Sequence, residues 1–406
     1  MSIFLDHPRT RWALPVAAVG VIGAVALTVN QTANADSGLP SRTAAQLLAD
    51  VRTANVSSLS GTVVQTSDLG LPEIPGLAGS GRPGSASTSM TSLVSGTHTW
   101  RIWLDGPTRQ RLALIGGNGE SDVIHNGADV WLWSSADKSA VHHTLDADQA
   151  RAGATGKHPE NSPSPGVPGP LPSGVPRTPD EAAAAALAVM GKDTAVTTSG
   201  TALVAGRPAY ELVLTPKDRT TLVGSVRIAI DSQEHVPLRV QVYSTKRTNP
   251  AFEVGFTAVD FAKPDARQFA FTPPAGTTVT QSDAATPRPD GAGTKPTAPS
   301  SGAAPKASGS PRIVGSGWST VVVAPFALPT SPSTSSSTSP KGAGGSAADS
   351  AAQLNGILKA LPTSSGTWGR GHVLEGTLFS LVLTDDGRVA VGAVAPDQLY
   401  RALAAK

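Results

Sequence analysis

Between positions 210 and 256 the chain contains four five-residue runs: Tyr210-Glu211-Leu212-Val213-Leu214, Val226-Arg227-Ile228-Ala229-Ile230, Leu238-Arg239-Val240-Gln241-Val242 and Phe252-Glu253-Val254-Gly255-Phe256. The first, third and fifth residues of every run are apolar. Most of the residues between them are polar: Glu211, Arg227, Arg239, Gln241 and Glu253. Successive side chains of a strand point to opposite faces, so each run reads as a strand with one apolar face. Four such strands in succession predict an antiparallel sheet, apolar on one side and wet on the other.

The alternation extends toward the N-terminus. Trp100, Ile102 and Leu104 share one face of the run Trp100–Asp105, and Leu112 and Leu114 share one in Arg111–Ile115. Val130 and Leu132 do so in Asp129–Trp133, with Trp131 and Trp133 opposite. Asn126-Gly127 between apolar runs predicts a hairpin, and Leu59–Gln65 predicts a further strand. In Thr43–Ala54, Ala44, Leu47, Leu48 and Val51 recur at helical spacing, with Ser41 as the expected N-cap. Thr178-Pro179-Asp180-Glu181 opens a second helix that runs through alanines to about Met190. It has a capping threonine, a proline at the first helical position and a glutamate three residues beyond the cap. A sheet of about nine amphipathic strands curls rather than lying flat. The expected fold is therefore mainly β within the α+β class: an unclosed antiparallel half-barrel with a helical lid, plus a small C-terminal α+β unit.

Composition limits the function. The 406 residues include 42 glycines, 34 prolines and no cysteine, with 15% charged residues, 4% aromatics and a formal net charge of +2. Without cysteine there are no disulfides, thiolate metal sites, thiol catalysis or lipid-modified cysteine anchor. No dense Lys/Arg cluster occurs, so nucleic acid is not an expected partner. The Gly, Pro, Ser and Thr excess collects in residues 68–95, 153–179, 281–312 and 329–346. The first two read as insertions, the third as a linker and the fourth as a loop. The expected division is 1–35, a signal peptide or N-terminal transmembrane anchor; 36–280, the half-barrel; 281–312, the linker; and 313–406, the small unit. The small unit is expected to hold a strand (Thr320–Ala324), a helix (Ala351–Leu361), a hairpin (Leu378–Leu383 with Val389–Val394) and a terminal helix (Pro396–Ala405).

Arg9 and Arg11 precede an apolar stretch, Trp12–Val29, that is long enough for an export signal or a membrane span. Ala33-Asn34-Ala35 fits a cleavage site. Either way the remainder is expected outside the cytoplasm, secreted or tethered to the cell membrane by residues 12–29.

The candidates for chemistry are weak. His142 and His143 are adjacent on a strand, point to opposite faces and make no joint metal site. Asp385-Asp386-Gly387 lacks the further oxygen ligands of a calcium loop and reads as a turn. Gly315-Ser316-Gly317 lacks the third glycine of a dinucleotide site and reads as linker. There is no Gly-x-Ser-x-Gly elbow, and the carboxylates are scattered. No enzyme activity, metal or cofactor is expected. The strand faces themselves remain. They are either ordinary core or the wall of an apolar cavity, because an alanine-rich lid fills space poorly. In the cavity reading the ligand-contacting residues are the strand-face positions named above, from Trp100 to Phe256.

Several short motifs, in order, resemble the lipoprotein carriers of the LolA type and the related RseB-type regulatory sensors. They are Leu47-Leu48 with Leu59-x-Gly61 and Gln65; Trp103-Leu104-x-x-Pro107; Asn126-Gly127-x-x-Val130-Trp131; Leu212-Val213-Leu214-Thr215-Pro216-Lys217; and Phe269-Ala270-Phe271-Thr272-Pro273-Pro274-Ala275-Gly276-Thr277-Thr278-Val279. The resemblance spans residues 42–280. It implies a half-barrel enclosing a cavity for the acyl chains of a lipid or lipoprotein, with the 179–190 helix as part of the lid. For the sensors it implies, besides, a membrane-bound anti-sigma partner. One departure is Gly106, which stands where carriers commonly place a lid-latching arginine. A monomer is expected. A wall or membrane-surface protein with a filled core is the third reading.

Overall fold

The computed structural model describes residues 38–71, 95–117, 119–145, 177–188, 191, 193–281, 311–326 and 361–405. The expectations for the 12–29 segment, most of both insertions, the linker, the 329–346 loop and the 351–360 helix lie outside the described residues. Among the described residues no helix is long and apolar enough to cross a membrane.

The first helix, α1 (Ala44–Thr53), is capped by Thr43, not by Ser41. The Thr43 hydroxyl accepts from the Gln46 backbone N–H, and the Gln46 side chain accepts from the Thr43 N–H. That is a complete capping box, and Gln46 is the residue that selects Thr43 over Ser41. The second helix, α2 (Pro179–Ala188), begins as the sequence predicts, with the Glu181 N–H donating to Thr178 Oγ1 at 3.1 Å. The Glu181 carboxylate reaches the Arg177 N–H at 2.8 Å instead of closing the box on Thr178.

The large sheet has twelve strands. They are β1 (Ser58–Ser67), β2 (Gly96–Asp105), β3 (Arg109–Gly116), β4 (Gly119–Asn126), β5 (Asp129–Ser134), β6 (Ser139–Thr144), β7 (Thr194–Val204), β8 (Arg207–Pro216), β9 (Val223–Asp231), β10 (Pro237–Ser244), β11 (Pro250–Asp260) and β12 (Thr278–Gln281). Their order is β12-β6-β5-β4-β3-β2-β1-β11-β10-β9-β8-β7. The end strands differ, so the sheet is an unclosed half-barrel. Every pair is antiparallel except β12 with β6. The β4–β5 hairpin turns at Asn126-Gly127 as predicted.

The predicted division into one apolar and one wet face holds for β8–β11 and fails for β3–β6. On the outer face of β3–β6, Ala113, Ile124 and Ala140 are buried. After β11 the chain crosses this face through Phe269 and Phe271 before joining as β12. Phe269 is buried, and Phe271 packs on Trp131 and Trp133 with ring centroids 5.3 and 5.8 Å apart. The FAFTPPAG motif is thus the cover of a second, outer core. Period-2 reading hides it because both faces of β4 are apolar there.

The small sheet has the order β13-β14-β18-β17-β16-β15. Its strands are β13 (Arg312–Val314), β14 (Val321–Pro325), β15 (Thr363–Gly366), β16 (Gly369–Glu375), β17 (Ser380–Thr384) and β18 (Arg388–Gly392). The helix α3 (Pro396–Ala404) lays Leu399, Ala402 and Leu403 on Val373, Val382 and Ala390. The β17–β18 turn at Asp385-Asp386-Gly387 is as predicted. Gly315-Ser316-Gly317 is not linker: it is the turn between β13 and β14, and it carries Trp318 into the contact with the large sheet.

That contact combines backbone and side-chain bonds. Trp318 Nε1 donates to Thr194 Oγ1 at 2.8 Å, buried. The Leu222 N–H and the Thr221 hydroxyl both donate to the Ala393 carbonyl at 2.8 Å. At the far end of β10 the Ser244 hydroxyl donates to Thr377 O at 2.8 Å, and the Thr377 N–H donates to Leu69 O at 2.6 Å. Lys246 pairs with Glu375 at 2.6 Å.

Candidate functional site

The register fixes which side chains share the inner face. One line across the sheet runs Leu212, Ile228, Val240, Val254, then Gln65 and His98. A second runs Leu214, Val226, Val242, Phe252 and Ser67. A third runs Phe256, Val63, Trp100, Leu114 and Ser121. A fourth runs Ile102, Leu112, Val123, Leu132 and Val141.

Of the predicted contact residues, Trp100, Ile102, Leu114, Tyr210, Leu212, Leu214, Val226, Ile228, Ile230, Leu238, Val240, Phe252, Val254 and Phe256 form one buried cluster. Leu104, Leu112 and Val242 are half-buried at its margin. Val130 is buried, and Leu132 half-buried, outside the cluster. Leu47 of α1 and Ala182, Ala183 and Ala186 of α2 close over the cluster. α1 packs on β7 and β8, and α2 on β10 and β11. Full burial of a Leu, Val, Ile or Phe side chain is worth about 1.5–3 kcal/mol, so this half of the inner face is a closed core.

The other half is different. Along the fourth line Ile102 is 2% exposed, but Leu112, Val123, Leu132 and Val141 are only half-buried. The apolar line therefore continues from the core margin at Leu112 across three further strands, beyond the strands on which α1 and α2 pack. Val123 and Val141 escape sequence reading. β6 has only six residues, and in β4 Val123 is flanked by Asp122 and Ile124, both buried on the opposite face.

The inner face also carries polar residues that the sequence reading passed over: Gln65, Ser67 and His98, all buried. Gln65 Nε2 lies 3.4 Å from Ser67 Oγ, and His98 Nε2 lies 2.9 Å from Ser95 O. The signal was present, since His98-x-Trp100-x-Ile102-x-Leu104 is one alternating series. Trp100 is 0% exposed, and among the described residues its indole N–H has no acceptor.

On the outer face Arg111 donates to Asp122 Oδ2 through Nε (2.9 Å) and Nη2 (2.5 Å), and to Gln268 O at 3.3 Å. It ties β3, β4 and the crossing segment together. Burial pushes the Asp122 carboxyl up to about 7, and neighbouring Glu120 adds to the rise while Arg111 opposes it. In β9, burial alone would raise the Asp231 carboxyl. The Arg207 guanidinium at 2.5 Å and the Glu234 and Gln233 N–H groups outweigh that and hold it below the ordinary carboxylate range.

Gly106 has φ +72° and donates its N–H to Ser57 O at 2.6 Å. The left-handed backbone favours glycine here. His142 stacks on Trp131 at 4.0 Å on the outer face, whereas His143 is buried on the inner one. Among the described residues no group of His, Asp and Glu is arranged to hold a metal. Two surface cavities of about 220 Å³ lie elsewhere. One is at the sheet–sheet contact by Thr220, Val321 and Gln398, and the other is on the outer face by Thr62, Arg101 and Trp103.

No family model matches the sequence, and no curated protein matches it. Among solved structures the chain is similar to the complex of MucA and MucB from Pseudomonas aeruginosa, at 15% identity and TM-score 0.40, over 89% of this chain and 96% of that one. It is also similar to a LolA superfamily protein from Nitrosomonas europaea, at 10% and 0.19, over 57% and 99%. A third is an outer membrane lipoprotein-sorting protein domain from Vibrio parahaemolyticus, at 10% and 0.19, over 56% and 94%. These likenesses are of fold. The open half-barrel with helices on its inner face stands on the chain's own strand order and packing.

Proposed function

We propose that this is an extracytoplasmic protein that holds the acyl chains of a lipid or lipoprotein against the inner face of its half-barrel, at the β3–β6 end. One observation carries the reading: the apolar line Leu112, Val123, Leu132, Val141 runs from the core margin past the closed core and is only half-buried. Such a surface favours an apolar ligand. Among the described residues no arrangement for catalysis accompanies it, and the N-terminal apolar stretch supports a location outside the cytoplasm. The test is solvent extraction and mass spectrometry of the purified protein, followed by titration with a fluorescent fatty acid. Acyl species in the extract and saturable uptake are expected. A protein that carries no acyl species and takes up no probe would not fit the proposal.

A regulator that binds a membrane-protein partner is the second reading. It is favoured by the hydrogen bonds that hold the small sheet on the half-barrel, since they create one composite surface from two sheets. Pull-down from membranes, with the partner identified by mass spectrometry, separates the two. A stoichiometric membrane partner supports the regulator, and lipid alone supports the carrier.

A further inference from the structure

We infer that Trp100 is the polar contact of the acyl site, its indole N–H donating a hydrogen bond to the ester or amide carbonyl of the bound acyl group. The inference rests on the acyl-binding reading above and narrows the ligand from any hydrocarbon to one carrying a carbonyl.

Trp100 is fully buried at the β2–β3 end of the inner-face cluster, and among the described residues its Nε1 has no acceptor. Buried indole donors usually find one. In this chain Trp318 does, at 2.8 Å from Thr194 Oγ1. Trp133 Nε1 also lacks an acceptor among the described residues, but it stands on the outer face under Phe271. A buried donor left unpaired is unfavourable, and a ligand oxygen relieves it.

Position gives the donor its meaning. On one side of Trp100 along β2 lies His98, paired across to Gln65, the polar part of an otherwise apolar face. On the other side lies Ile102, where the half-open apolar line through Leu112 and Val123 begins. Polar residues, an unpaired donor and an apolar track follow one another in that order. An amphiphile has the same order: head group, carbonyl, hydrocarbon chain. The carbonyl then meets Trp100 while the chain lies along β3–β6. A pure hydrocarbon leaves the donor unpaired, and a chain held by an ether linkage offers it only a weaker acceptor.

The test is a matched pair of ligands, 1-palmitoylglycerol and 1-hexadecylglycerol, which differ at the carbonyl. Each competes with a fluorescent alkyl probe on the full chain and on its Trp100→Phe variant. The wild type is expected to prefer the ester by about tenfold, the scale of one buried hydrogen bond. Trp100→Phe is expected to bind both at the ether level. In the wild type itself, the Trp100 indole proton should move downfield in NMR spectra with the ester and not with the ether, a readout that survives if the variant fails to fold. Equal affinity for the two ligands in the wild type, or a preference kept by Trp100→Phe, overturns the role of Trp100 and leaves acyl binding intact. Failure of both ligands to bind overturns the acyl reading as well.

Discussion

Replacing Leu132 by glutamine separates binding surface from core. Leu132 is half-buried, sits between Val123 and Val141 in the open apolar line, and belongs to no buried cluster. Full burial of a leucine is worth about 1.5–3 kcal/mol, so a half-buried one contributes about 1 kcal/mol to the fold. That corresponds to a fall of about 2–4 °C in Tm for a domain of this size. Leu212 is the comparison, at 1% exposure in the centre of the closed core. Leu212→Ala is expected to remove about 2–5 kcal/mol. Binding should show the reverse order. Glutamine removes two methyl contacts of about 0.8 kcal/mol each from a bound chain, which weakens fatty-acid binding about tenfold. Thermal melts and fluorescent fatty-acid titrations of both variants give the four numbers. The reasoning is refuted if Leu132→Gln destabilises as much as Leu212→Ala, because the line is then core, or if it leaves affinity unchanged.

Three further outcomes are expected. The folded-state value of Asp122 is raised to about 7, so its contribution to stability is fully present below the unfolded value near 3.8 and is lost as pH rises through about 7. Denaturant titrations from pH 4 to 8 should show that loss in the wild type and a flatter profile in Asp122→Asn. Trp318 packs in the core cluster of the large sheet, and Trp318→Ala should weaken the contact between the sheets by about 3–5 kcal/mol. Calorimetry should then resolve two transitions where the wild type gives one. Gly106→Arg places a side chain at φ +72° with open space around it. The loss should be about 1–2 kcal/mol from backbone strain alone, read from the denaturation midpoint.

The parts of the fold that the sequence reveals are those in which one face is wet. In β8–β11 the alternation of Leu212, Ile228, Val240 and Val254 with Glu211, Arg227, Arg239 and Glu253 names the inner face directly. The α2 start is equally legible from Thr178 and Pro179. Legibility ends where both faces are covered. Ile124 and Val123 are neighbours on opposite sides of β4, so no period appears, and the outer core under Phe269 and Phe271 depends on a segment distant in sequence. The contact of the two sheets is illegible for another reason. Leu222 meets Ala393, and Thr377 meets Leu69, through backbone groups that every residue possesses. The extent of the candidate site follows from coverage: Leu112 and Leu132 read like Leu212 and Leu214, and only the positions of α1 and α2 set them apart.

The most direct test of the central claim is to irradiate the protein with a bound photoreactive fatty acid and map the adducts by peptide mass spectrometry. The account predicts adducts on the inner-face residues of β3–β6, at Leu112, Val123, Leu132 and Val141, displaced by excess palmitate. Displaceable adducts confined to the outer face or to the small sheet would contradict it.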